Sequence, residues 1–307
     1  MLTKASWIKI AVVSLLGVVL CMGMLSCSYG CTPLLRGCVG IPGTSIGVLA
    51  DYENVGNGSV DAAQVNDIEL DWAAGRVVFE EYDVAYDGGE SIENRILLEE
   101  SYSGSAGDGY RMRWEVSNGV LKIAYCASGG GFVGCTPFNW PDKTLTIGIP
   151  KGAGDFLRSV TIDGLSGDYG LDGLQCNTLN LSLASGKVHG TDGAFGDVHV
   201  EMASGNVSLA AKVADRLHVE TTSGEFSLDC IDAMPRETTF EMTSGNMTMS
   251  VPRDSGFSAS VEKTSGSFNC DLPDVHRIDD AYVRGDGAAK VTVDMTSGNV
   301  TLKGNDA

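Results

Sequence analysis

Basic side chains are scarce in this chain: 21 Lys and Arg stand against 40 Asp and Glu in 307 residues, a formal net charge of −19. Such a surface repels nucleic acid and anionic lipid head groups, so no nucleic-acid partner is expected. Cys-x-x-Cys is absent among the nine cysteines, which removes support for a zinc ribbon or a thioredoxin-like site. No Gly-x-Ser-x-Gly elbow in context and no phosphate loop occurs. Long amphipathic helical patterns are missing too, and the one long apolar run is Ile10–Leu25. Helical bundles and the common hydrolase and nucleotide-binding folds are thereby excluded.

What the chain does have is a repeat. Ser166, Ser185, Ser204, Ser223, Ser244, Ser265 and Ser297 are each followed by Gly, mostly 19 or 21 residues apart. Four residues before each Ser stand Ile162, Leu181, Val200, Val219, Phe240, Val261 and Val293. Three residues after it come Val188, Val207, Phe226, Met247, Phe268 and Val300. Polar residues fill the positions between, and this period of two on both sides of the Ser-Gly reads as two half-buried strands joined at a corner. A coil of about 20 residues is too short for two antiparallel hairpins. It suits one turn of a right-handed parallel β-solenoid, in which equivalent residues stack about 4.8 Å apart. A β-sandwich with chance Ser-Gly turns does not explain a register kept on both flanking strands. Two irregularities stand out. The last gap, Ser265 to Ser297, is 32 residues, and Lys263 occupies an inward position held elsewhere by Leu183, Met202 and Met242. An inward Lys is costly unless it reaches the edge or pairs.

Lys4 and Lys9 precede the apolar run, the pattern of an exported protein whose short end stays inside. Residues 1–27 are expected to be an uncleaved signal-anchor helix, a lipoprotein signal with Cys27 as the lipidated residue, or a cleaved signal. Each places the remainder outside the cytoplasm, anchored at the cell membrane in the first two cases. Without its first 40 residues, which hold three basic and no acidic side chains, the chain carries about −22. Residues 28–64, rich in Gly, Ser and Asn, read as a juxtamembrane tether. In an oxidising compartment Cys31 with Cys38, and Cys126 with Cys135, bracket short loops suited to local disulfides. Cys270 falls on an inward position.

From Val65 the chain turns strand-like. Residues 65–150 read as irregular first coils that cap one end, with Ser117-Asn118-Gly119 as a hairpin turn. Residues 151–304 are the regular repeats, and the degenerate last coil is expected to protect the far end. The pieces IELDWAAGRVVF, GVLKIAY, KTLTIGIP and the recurrent TSGNV and ASGNV units resemble a bacterial envelope β-solenoid family of unknown function labelled "putative adhesin". They also resemble the related adhesin head domain named GIN. The resemblance covers roughly residues 65–304. It implies a membrane-tethered β-helix-like domain and carries over no catalytic residue.

Three residues before each Ser the series reads Asp163, Ser182, Glu201, Glu220, Glu241, Glu262 and Asp294. Stacked carboxylates repel, by roughly 1 kcal/mol per neighbouring pair in water. Such a row invites a divalent cation or another cationic ligand. His199 and His218 share one position two residues away, a candidate Zn²⁺ site or pH sensor. Asp168, Asp172 and Asp192 are carboxylates for a glycan-cleaving site by composition only, and no basic cluster accompanies them. Arg284-Gly285-Asp286 spells an integrin-type tripeptide by sequence alone. No cofactor is expected beyond such a cation. The expected role is non-catalytic: surface display or adhesion, with a protein or cell-wall glycan as partner. The alternative is an envelope regulator docking another membrane protein, and a carbohydrate-active enzyme comes last.

Overall fold

The computed structural model describes residues 50–305, apart from 84, 88–89, 93, 103–107, 128–142, 153–155 and 280. The expected membrane helix, Cys27, Cys31, Cys38 and Cys135 all lie outside the described residues. Among those described, no helix is long and apolar enough to cross a membrane.

Two parallel sheets face one another, and each coil contributes one strand to both. The first sheet contains Ser159–Gly164, Gln175–Leu183, Glu237–Met242 and the segments 197–202 and 216–221, paired in register. Leu181, Val200, Val219 and Phe240 are aligned on successive strands, and each is 1 % exposed or less. The second sheet holds Asp168–Gly170, 187–190, 206–211, Glu225–Cys230 and Asn246–Val251. Tyr169, Val188, Val207, Phe226 and Met247 line its inner face. The strands Lys187–Met202 and Asn206–Thr221 run through the return bend and serve both sheets.

The Ser-Gly corners are where the two sheets meet, and glycine is required there for two reasons. Gly186, Gly205, Gly224 and Gly245 all have φ between 120° and 135°, a region that L side chains avoid. The corners also stack directly, so a Cβ on Gly224 would lie 2.5 Å from the Gly205 carbonyl oxygen. That oxygen is already committed, accepting a hydrogen bond from the Glu225 amide. Hydrogen bonding therefore continues through the bend, and the corner itself becomes a ladder.

Spatial order departs from chain order at both ends. The last coil does not cap the stack. Its strands Ala289–Met295 and Asn299–Gly304 are inserted between the coil of Glu237–Met242 and Asn246–Val251 and that of Phe257–Lys263 and Ser267–Cys270. The degenerate segment expected to protect the far end, around Asp279–Lys290, does supply Ala281–Arg284 beyond Phe257–Lys263 there, whereas the regular repeat that follows it is inserted, and the side chains explain why. Val291, Val293, Met295, Val300 and Leu302 are all 2 % exposed or less, buried from both sides. Lys263, on the displaced coil, is exposed and donates to the Gly266 carbonyl at 3.0 Å. An inward charge without a buried counter-charge is best accommodated at the end of the stack, where it reaches solvent.

At the other end, Asp67–Trp72 and Arg76–Tyr82 lie between the Ser159–Gly170 coil and the later strands Val120–Ala124 and Lys143–Pro150. Antiparallel strands then close this end. Arg113–Ser117 folds back on Val120–Ala124 through Asn118 and Gly119, both with positive φ. Arg95–Tyr102 covers Lys143–Pro150. The tether expected through residue 64 ends sooner, because Asn54–Val55 and Gly58–Asp61 join the two sheets. Trp114 fixes that crossing by donating its indole N–H to the Gly56 carbonyl at 2.8 Å.

Inside this end Lys143 and Glu100 form an ion pair at 2.7 Å with both side chains at most 1 % exposed. The ammonium also donates to the Tyr125 carbonyl and lies over the Tyr125 and Trp72 rings. Burial pulls its pKa below the usual lysine value, against the pull of Glu100. Removing either partner would strand a buried charge, a change that typically costs about 3–5 kcal/mol.

Candidate functional site

Along the outer face of the first sheet, side chains form three parallel rows. In the row seven residues before the corner Ser, signs alternate: Asp197, Arg216, Glu237 and Lys290 are successive neighbours. Arg216 bonds Asp197 at 3.0 Å. The middle row carries Glu69 and is neutral or imidazole from there on: Thr161, Asn180, His199, His218, Thr239, Thr292. Nearest the corner lies the acidic row, Asp71, Asp163, Ser182, Glu201, Glu220, Glu241, Asp294, Glu262. From Glu201 to Glu262 five carboxylates follow one another with no Lys or Arg in the row.

This row is the sequence-derived acidic series, Ser182 included, with one reordering: Asp294 stands between Glu241 and Glu262 because of the inserted coil. Asp71 and Glu69, which extend the face toward the closed end, were missed by sequence reasoning. Their coil turns at Ala74-Gly75 and lacks the Ser on which the repeats were aligned. Gly75, with φ of 89°, was the available signal.

Packing makes part of the row unusual. Asp163 has its pKa pushed up to about 6, first by burial, then by the charges of Glu69 and Glu201. Tyr52 is raised by burial and by Asp71, Glu115 and Glu69. His199 and His218 stack at 4.8 Å between ring centroids, 10° from parallel. His199 Nε2 lies 3.0 Å from Glu201 Oε1. Parallel imidazoles set their nitrogens side by side rather than toward a common point. Among the described residues no three His, Cys, Asp or Glu side chains are arranged to hold a metal ion.

The outer face of the second sheet is different in character. Ser208, Ser227, Thr248 and Thr301 stack in one row, and Asn206, Glu225, Asn246 and Asn299 in the next. Asn299 donates to Asn246 at 3.0 Å, and Ser267 to Asn299 at 2.6 Å. The molecule thus has one anionic face and one nearly neutral face of short, mutually bonded side chains. At the closed end an open groove of about 540 Å³ is lined by Glu53, Asp61, Glu115, Ser59, Arg95 and Trp114, among others. Its one guanidinium, Arg95, is spent on Ser59.

Other sequence candidates do not assemble into a site. Asp168 faces His189 at 3.2 Å, and Asp172 accepts from the Thr191 amide and hydroxyl. Asp192 takes a positive φ in the return bend. In the Arg284-Gly285-Asp286 tripeptide the guanidinium donates to the carbonyls of Pro273, Ser255 and Arg253. Asp286 accepts from the Ala288 amide. Both charged groups therefore hold the turn together. Cys126, Cys176 and Cys230 are buried. Burial pushes the Cys176 and Cys230 thiols up to about 12, which keeps them unreactive.

The model of one protein family, described as Toastrack DUF4097, matches residues 65–303. Solved structures of similar shape are far apart in sequence. A "putative cell adhesion protein" from Clostridium sporogenes is 12 % identical, over 82 % of this chain and 100 % of that one, with a TM-score of 0.39. A "putative adhesin" from Bacteroides fragilis is 8 % identical, over 83 % and 99 %, with a TM-score of 0.35. A "putative lipid binding protein" from Parabacteroides distasonis is 13 % identical, over 83 % and 98 %, with a TM-score of 0.29. No curated protein matches the chain.

Proposed function

We propose, from the premise that this chain belongs to the Toastrack DUF4097 family, that it is a non-catalytic binding protein of the cell envelope. Residues 1–27 would tether it, and the acidic face of the first sheet would engage a cationic ligand. The observation that carries this reading is the unbroken run Glu201, Glu220, Glu241, Asp294, Glu262. Two rows away the same strands alternate sign, so the fold accommodates bases on this face and the acidic row lacks them. A ligand with several positive charges, spaced along an extended segment, would relieve the repulsion across many coils at once. Lysine-rich protein segments have that character. Divalent cations would act here as a diffuse counterion layer. Among the described residues, the candidates Asp168, Asp172 and Asp192 read from the sequence are not brought together on this face.

Binding of a fluorescent oligolysine peptide to the full chain tests the idea, measured between 20 and 300 mM salt. Affinity should fall steeply with salt. The triple variant Glu201→Gln, Glu220→Gln, Glu262→Gln should bind at least tenfold more weakly at low salt. Equal affinity for the triple variant and the parent would remove the acidic row as the site.

A further inference from the structure

The acidic row has no fixed counter-charge, but it has a conditional one. No Lys or Arg stands in the row from Glu201 to Glu262. Two rows away Arg216 is bonded to Asp197. Beside Glu201 and Glu220, the side chains able to become positive are His199 and His218, direct neighbours in the row between. Their rings stack at 4.8 Å. The His199 side chain is 39 % exposed and that of Glu201 34 %, so both meet solvent and anything that lies on the row. A carboxylate only accepts, so the 3.0 Å contact of His199 Nε2 with Glu201 Oε1 places a hydrogen on Nε2. A further proton goes to Nδ1 and makes the ring an imidazolium already bonded to the acidic row.

That added charge meets carboxylates on most sides. On the strands of the pair itself, Glu201 and Glu220 lie to one side and Asp197 and Arg216 to the other. The strand Glu237–Met242 adds Glu237 and Glu241 on either side of Thr239. Gln175–Leu183 presents Thr178, Asn180 and Ser182, none of them charged. Arg216 is the one cation among these neighbours, and Asp197 holds it. A proton on one ring opposes a proton on the other across the stack, so the pair charges in steps. Asp163 acts in the same direction. Its ladder neighbours are Asp71 and Ser182, and its carboxyl is pushed up to about 6, first by burial and then by Glu69 and Glu201.

We propose that His199 and His218 are an acid-operated release for the ligand of the acidic row: neutral rings leave the row anionic, and charged rings neutralise it from within. This rests on the cationic-ligand reading of the face and assigns its regulation. Imidazole is the side chain whose charge changes between pH 5 and 8, a range in which ordinary carboxylates and the amines of lysine keep theirs. Mild acid therefore changes the site and not the ligand. As pH falls, Glu201 and Glu220 acquire internal counter-ions, and a bound ammonium meets like charges beside them. Asp163 loses its charge over the same range and weakens the face further. As pH rises again the row recovers its charge, so capture belongs to neutral pH and release to mild acid.

The test uses the full chain in mild detergent and the fluorescent oligolysine peptide at 20 mM salt, with affinity measured at pH 8.0 and pH 5.5. The parent should bind at least about tenfold more weakly at pH 5.5. The double variant His199→Gln, His218→Gln should lose no more than about threefold on the same change, the share left to Asp163. With Asp163→Asn added, the two affinities should agree within about twofold. Circular dichroism at both pH values follows the fold. Absence of binding at pH 8.0 would overturn the cationic-ligand reading and the release together. Binding at pH 8.0 that is unchanged at pH 5.5, a double variant that loses as much as the parent, or a parent unfolded at pH 5.5 would each overturn the release alone.

Discussion

Asp163 shows what one residue can report about this fold. Its carboxyl is raised to about 6 by burial and by neighbouring carboxylates, while the unfolded chain holds it near the ordinary 3.8. Below the unfolded value both states are protonated and the residue is neutral in its effect. As pH rises toward 6 the unfolded state ionises first, so the folded state loses stability, and above 6 the loss is complete. Asp163→Asn should therefore stabilise the protein at pH 7.5 by about 1 kcal/mol, after allowance for solvent screening of a half-exposed group. The gain should vanish near pH 3.5. Denaturant titrations at the two pH values measure it. A destabilised Asn variant at pH 7.5 would mean that the carboxylate is a wanted charge in the free protein.

At the scale of the element, the inserted last coil makes Lys263 informative. In the full chain Lys263 lies at the end of the stack and is exposed, so Lys263→Met should change stability by less than about 0.5 kcal/mol. Removing residues 286–307 leaves the coil of Phe257–Cys270 free to settle on Glu237–Val251. Lys263 would still lie at the end of the stack, with Met242 in place of Met295 as its inner neighbour, so Lys263→Met should again change stability by less than about 0.5 kcal/mol. Chemical denaturation of the four proteins forms the complete cycle. A gain above about 1 kcal/mol from Lys263→Met in either length would show that this residue is enclosed rather than at the end of the stack.

The same element explains what the sequence made legible. Aligning on Ser-Gly predicted the in-register neighbours Leu181, Val200, Val219 and Phe240, and the acidic positions beside them, because each corner fixes the strand on either side. Coil order was not legible at the ends. Every coil offers similar apolar faces and the same corner, so the alignment cannot tell insertion from succession. Lys263 held the only hint. Asp71 and Glu69 escaped because Ala74 replaces the marker Ser, and the bonds of Arg284 escaped because its carbonyl partners are 11 to 31 residues away in the chain.

For the whole molecule, charge segregation has an energetic sign. Glu201 to Glu262 contribute four like-charged neighbour pairs along one row, each repelling by roughly 1 kcal/mol in water at low salt. Screening should relieve this, so raising salt from 20 to 500 mM should lift the melting temperature of the free protein by several degrees. The triple Glu→Gln variant used for binding should melt higher at 20 mM and respond less to salt. The trait that weakens the empty protein is the one that the proposed cationic ligand would neutralise, and calorimetry with and without oligolysine would show both at once.

The order in which coils stack also bears on biogenesis. A chain that emerges N-terminus first can assemble Ser159 through Val251 coil upon coil as it appears. The coil of Phe257–Cys270 then has no permanent place, because its seat is made by residues 289–304. Folding cannot run as a simple zipper in chain order, since residues 289–304 must reach a position inside the stack after Phe257–Cys270 has been made. A chain cut short before Ala289 would lack that seat, leaving Phe257–Cys270 to pair directly with Glu237–Val251 in a non-native order. The architecture therefore makes the native seating of Phe257–Cys270 wait for synthesis through Gly304.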